Sequence, residues 1–265
     1  MTLAEVMQDL ESRGTEQNRK VYARHGIAGA MFGVSFEHLR TVAKRIGTDH
    51  AVAVQLWDTG NHDARVLATM IADPAQVDDK LMEAWVRDCD NYVITDLFST
   101  FAARTKLARR KADRWSGSPV EFMGQAGWNL IGQLAMYDDE VPDEYFVVKL
   151  GVIEKDIHSR RNRTRNAMNG ALCGIGIARP GLREQALGAA RRIGKVEVDH
   201  GETGCKTPDA AAYIKKAVAR TPAKRASAAG GGASKRTTKT RSSASNGRAA
   251  ASKKTTRRPK TGTRK

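Results

Sequence analysis

Tyr92 and Asp96 stand four residues apart within the stretch Trp85 to Ala103, WVRDCDNYVITDLFSTFAA. At about 100° per residue, Ile94, Leu97, Phe98 and Phe101 fall on one stripe at i, i+3, i+4 and i+7, the spacing by which a helix faces a core. Tyr92 and Asp96 then share the opposite, polar side, with ring and carboxylate one turn apart. Held by a packed helix, a carboxylate beside a ring face is equipped to recognise a cation. The same spacing also fits a solvated or capping carboxylate next to a half-buried edge aromatic, and the pattern alone leaves both open.

Two groups of basic residues bear on what such a face would meet. The run HSRRNRTRN, His158 to Asn166, places Arg160, Arg161, Arg163 and Arg165 at the start of a helix, where the helix dipole opposes positive charge. That fits a phosphate partner, or a solvated basic loop. Lys106, Arg109, Arg110, Lys111 and Arg114 form a second group, on a helix expected to pair with the Tyr92/Asp96 helix. Two basic groups flanking a polar face fit double-stranded DNA lying in a groove. About 6 to 10 phosphate contacts would lower affinity roughly 10³- to 10⁵-fold between low and moderate salt.

The loop from Val198 to Ala217, VDHGETGCKTPDAAAYIKKA, gathers Asp199, His200, Glu202 and Cys205. These are zinc-ligand types, but they are bunched with no second pair at finger spacing. The loop is therefore read as structural, with Thr207 capping the last helix and Pro208 starting it. No metal or cofactor is expected.

The elements that must position these residues read as helices throughout. Thr2 with Glu5 makes a capping box for a helix over Leu3 to Ser12; Ser35 opens another, with Leu39, Val42, Ala43 and Ile46 as its buried stripe and Gly47 as its end. Five prolines, Pro74, Pro119, Pro142, Pro180 and Pro208, precede amphipathic runs, where a missing N–H costs nothing in the first helical turn. The stripe recurs in Phe146, Val147, Leu150 and Ile153, in Ala167, Met168, Ala171, Leu172 and Ile175, and in Leu182, Ala186, Leu187, Ala190 and Ile193. No alternating run long enough for a sheet competes, so the fold class is all-α. About twelve helices with short connections predict stacked antiparallel pairs, a HEAT-like α-solenoid.

Charge divides the chain of 265 residues in two. Fourteen of its 45 basic residues and none of its 29 acidic ones lie beyond residue 220, so the last segment carries +14 of the +16 net charge. Residues 221–265 are almost entirely Ala, Gly, Ser, Thr, Lys and Arg with no aromatic residue, a composition that cannot bury enough surface to order itself. A disordered, nonspecific phosphate-binding tail is expected after a globular body over 1–220. Cys89, Cys173 and Cys205 are scattered without a CxxC, which reads as reduced thiols in a cytoplasmic protein, and DNA as the expected partner would make it nucleoid-associated. The amphipathic, acidic start and the lack of any 18-residue apolar stretch argue against a membrane. A monomer is expected.

Three segments carry a family resemblance: GVSFEHLRTVAKRIG (Gly33 to Gly47), QLWDTGNHDARVLATMIA (Gln55 to Ala72) and DNYVITDLFS (Asp90 to Ser99). In order and separation they resemble the DNA alkylation repair proteins of the AlkD type, built from HEAT-like repeats, over roughly residues 1 to 220. The resemblance implies removal of positively charged N-alkylated purines from duplex DNA by cleavage of the N-glycosidic bond, without metal and without drawing the base into a pocket. It implies that Tyr92 and Asp96 are the catalytic pair, with Asp96 stabilising the oxocarbenium charge and positioning a water. Tyr92 stands where the family has Trp. The basic residue that holds the lesion-flanking phosphate should lie within Ser118 to Asp139, which contains no Lys or Arg. Trp128 is the large aromatic near that vacancy, and a further expected aromatic reads Asn169 or Gly170.

The sequence thus favours a DNA-binding protein of alkylation repair and leaves glycosylase activity open. A non-catalytic binder of damaged or branched DNA and a helical-repeat scaffold for protein partners are the alternatives.

Overall fold

The computed structural model describes residues 1–220, which hold α1 (Leu3–Arg13), α2 (Glu16–Arg24), α3 (Phe36–Ile46), α4 (His50–Asp58), α5 (His62–Ile71), α6 (Asp79–Asp88), α7 (Tyr92–Ala102), α8 (Ala108–Ser116), α9 (Glu121–Tyr137), α10 (Asp143–Asp156), α11 (Asn162–Ala178), α12 (Arg183–Ile193) and α13 (Ala210–Arg220). No strand occurs among the described residues, and no helix there is long and apolar enough to cross a membrane. The expected tail lies outside them.

Local chemistry sets the helix ends. Thr2 and Glu5 form the capping box of α1, the Ser35 side chain caps α3, and Gly47 ends α3 at φ 75°, a left-handed conformation that needs a glycine. Two expectations about prolines are corrected. Pro74 lies in the turn ahead of α6, whose cap is Asp78. The last helix starts at Ala210 and its cap is Asp209, which accepts the Ala212 N–H at 2.7 Å, whereas the Thr207 hydroxyl is taken by His200. Asp209 stands three residues before Ala212, the separation at which a cap accepts the N3 amide. On α10, Val147 is exposed and the stripe continues through Phe146, Leu150 and Ile153 to Ile157.

The odd-numbered helices α3, α5, α7, α9, α11 and α13 pack each on the next to make one layer, and α4, α6, α8, α10 and α12 lie against its flank. This is the stacking of helix pairs that the stripes predict. Behind α7 runs a continuous aromatic seam. Trp57 stacks on Trp85 with centroids 4.3 Å apart and planes 7° apart, Phe98 and Phe101 rest on that pair, and Trp115 closes on Phe98 at 5.7 Å. Rings of this size dominate core energetics, so they fix the rotation of α7 about its axis. Its remaining face, Tyr92 and Asp96, is thereby turned outward.

α8 packs chiefly on α9, not on α7 as the basic residues suggested. The cause is Gly127: a Cβ there would come 2.5 Å from the Trp115 carbonyl carbon and closer still to the Ser116 nitrogen. Only glycine lets the two backbones approach so closely. Glycines also bring α9 and α11 together, where a Cβ on Gly174 would meet the Gly132 carbonyl oxygen at 3.4 Å.

Candidate nucleic-acid interface

α7 begins at Tyr92 because Asn91 caps it, its side-chain oxygen accepting the N–H groups of Val93 and Ile94 at 3.1 and 3.0 Å. The cap is thus Asn91, and Asp96 is free for the cleft. The Tyr92 hydroxyl shares a hydrogen bond with Nδ1 of His25, which ties α7 to the loop after α2. Over the Tyr92 ring lies the Arg163 guanidinium, 4.1 Å from the centroid, delivered by the first turn of α11. Asp96 Oδ1 accepts from Gln125 Nε2 at 2.7 Å and from Asn129 Nδ2 at 2.8 Å, both on α9. Gln125 also donates to the Tyr92 carbonyl at 3.2 Å. Where the resemblance calls for a cation on α9, this chain has two neutral amides one turn apart, and its cation arrives from α11.

Two cavities meet at Asp96. One, of about 440 Å³, is lined by Tyr92, Asp96, Arg163, Asn169, His200 and Cys205 among others; the second, of about 310 Å³, by Asp96, Thr100, Asn129, Gln133 and Gly170 among others. Asp96 keeps contact with solvent, yet the walls around it push its carboxyl above the ordinary range. The amides of Asn129 and Gln125 and the charge of Arg163 act the other way and do not outweigh the burial. Burial likewise raises the Tyr92 phenol and lowers the His200 imidazole, the latter with help from Arg163.

The arginine run at the start of α11 divides between tasks. Arg163 joins Tyr92 at the cleft. Arg165 donates to the Glu197 carbonyl at 2.7 Å and to the Arg160 carbonyl at 2.9 Å, fastening the chain after α12. Arg160 and Arg161 line a separate hollow of about 410 Å³ with Ser118, Pro119 and Thr164, and Arg160 is 3.6 Å from Asp156. Lys106, Arg109 and Arg110 line neither cleft cavity. Arg110 pairs with Asp79 and Arg109 lies 5.2 Å over the Tyr145 ring. Lys111, 1% exposed, donates to Glu83 at 2.6 Å. Burial would push the Glu83 carboxyl up, but the bonds from Lys111 and Trp115 hold it below its usual range. Trp128 is a core residue, 1% exposed, with its indole N–H given to the Ser116 carbonyl at 3.1 Å. The α8–α9 contact encloses most of it, and it forms part of the wall of the smaller cleft cavity.

Other residues that carried the resemblance are structural. Asp63 is buried and accepts the N–H groups of Phe32, Gly33 and Val34 at 2.7, 3.0 and 2.9 Å, while Arg65 donates to the Trp57 and Asp88 carbonyls. They fix the loop before α3 and the α4–α6 seam. In the loop after α12, His200 bonds Thr207 at 2.9 Å and, with Cys205, lines the larger cavity; among the described residues no group of His, Cys, Asp or Glu is placed to hold a metal ion. Gln125, Asn129 and His25 belong to the site without having been expected there, and Asn169 lines it where the resemblance calls for an aromatic.

A stack of helix pairs of this kind defines a class of fold, and comparisons with known proteins agree on it. The family model for the DNA alkylation repair enzyme matches residues 6–223, and the chain belongs to that family. A solved structure described as "a new family of proteins related to the HEAT-like repeat DNA glycosylases with affinity for branched DNA structures" is 29% identical, with a TM-score of 0.76 over 83% of this chain and 95% of that one. The fold is accordingly HEAT-like. Protein Lin0241 of Listeria innocua serovar 6a is 26% identical over 82% of this chain and 97% of its own length. Lmo0209 of Listeria monocytogenes serovar 1/2a is 26% identical over 83% and 99%.

Proposed function

We propose that the protein binds DNA through the cleft between α7, α9 and α11, preferring branched or distorted duplexes, and leaves the glycosidic bond intact. The observation that carries this reading is the Arg163 guanidinium on the face of Tyr92. A cationic base seeking that face meets a like charge, whereas a phosphate meets a well-placed donor. The amides of Gln125 and Asn129 engage Asp96 instead of leaving it to a developing oxocarbenium ion. The affinity of the structural relative for branched DNA supports the same reading.

A second reading rests on Asp96 itself. Both amides meet Oδ1, and the residue opens onto two cavities, so a sugar and a water have access to the carboxylate. One experiment separates the two. Base release from duplex carrying N7-methylguanine is measured beside affinity for a four-way junction and for linear duplex of the same sequence. The expected result is no release and tighter junction binding. Arg163→Ala should weaken junction binding and reduce the slope of log K against log salt by about one. Base release that disappears in Asp96→Asn would overturn binding alone and establish the glycosylase.

A further inference from the structure

We infer that the larger cleft cavity receives a single unpaired nucleotide from the branch point, its base packed against the apolar walls and its phosphate against Arg163 and Lys206. The inference rests on the DNA-binding reading above and deepens it, because the resemblance calls for no base-receiving pocket.

Asn169, on α11, is 1% exposed and lines this cavity. Its Nδ2 donates to the Pro208 carbonyl at 3.1 Å, which fixes which end of the amide is oxygen. Oδ1 has no hydrogen-bond partner and is closed to solvent, so Asn169 forms part of the cavity wall without offering the cavity an acceptor.

The cavity fits the parts of a nucleotide. Met136, Ile177 and the half-exposed ring of Tyr213 give apolar walls for a planar base. Gly170 adds no side chain, and a Cβ there would meet nothing within 4 Å, so the space stays open. Arg163 and Lys206 put two cations on the same cavity, where a phosphate would follow its base. The volume of about 440 Å³ lies in the usual range for small-ligand pockets. Taking a paired base from a duplex costs stacking and pairing; an unpaired one at a branch point costs least. The pocket therefore gives the cleft a reason to prefer branched over linear DNA.

The test uses the full chain and three junctions that are identical except at the branch: fully paired, with one unpaired adenosine, and with an abasic residue in its place. The adenosine junction should bind roughly tenfold or more tightly than the abasic one. Gly170→Leu, which fills the cavity, should bring that ratio to about one, with an unchanged melting temperature showing that the variant folds. Free dAMP should compete only weakly. Equal binding of adenosine and abasic junctions overturns the pocket and leaves the junction reading standing, as does a ratio that survives Gly170→Leu in a folded variant. Strong competition by dAMP reassigns the cavity to a small molecule. Failure to bind any of the three overturns the DNA-binding reading together with the pocket.

Discussion

Asp96 sits where its charge is held against the preference of its surroundings. Because its carboxyl is raised in the folded state, its stabilising contribution is fully present below the unfolded value and is lost as pH rises through the folded one. At neutral pH the ionised group therefore opposes folding. Asparagine has the same shape, keeps an oxygen for Gln125 and Asn129, and carries no charge. Asp96→Asn is expected to melt above the wild type at pH 7. The gap should close as pH falls toward the ordinary carboxylate value of 3.8, as read by calorimetry across that window. A variant that melts lower at pH 7 would show that the Arg163 attraction outweighs burial. Destabilising carboxylates kept in a cleft are what functional sites look like physically.

The helices around the site depend on where side chains are missing. Gly127 lies where the α8 backbone presses on α9, and Gly151 lies on the open side of α10, where a Cβ would meet nothing within 4 Å. Both are glycines in helix interiors, and propensity alone predicts that alanine stabilises each by up to about 1 kcal/mol. Packing should split them. Gly151→Ala is expected to raise the midpoint of urea unfolding, and Gly127→Ala to lower it by several times that energy, since backbone rather than a flexible side chain must move. Similar midpoints for the two variants would mean that α8 rides loosely on α9. The clasp of Lys111, Glu83 and Trp115 argues otherwise, as it joins α6 to α8 through one buried carboxylate.

At the scale of the whole chain, charge and geometry are separately encoded. The body over 1–220 holds the cleft with Arg163 and Asn169, and the segment beyond it holds +14 of the net charge. Cations that meet phosphate act through counterion release, which strengthens binding to every DNA without choosing among them. Removing residues 221–265 is expected to weaken binding to duplex and junction alike and to flatten the salt dependence. The ratio of the two affinities should be unchanged in titrations at two salt concentrations. Loss of that ratio with the tail would place the preference outside the cleft.

Periodicity determined that the chain is helical, where most helices start and stop, and that Tyr92 and Asp96 share a polar face. Such features depend on neighbours three and four residues away, and those are fixed by the backbone itself. The segments around Trp57, Asp63 and Asp96 were also enough to point to the family. What the sequence could not show is which side chains from distant helices converge. Arg163 was legible as a cation but not as the cover of Tyr92, and Gln125 and Asn129 were silent because an amide in a helix has no distinctive pattern. Trp128, the large aromatic near the missing cation, is mostly enclosed because Gly127 beside it draws α8 over it. Those outcomes rest on how closely α8, α9 and α11 approach, a distance that packing in three dimensions sets and no local spacing records.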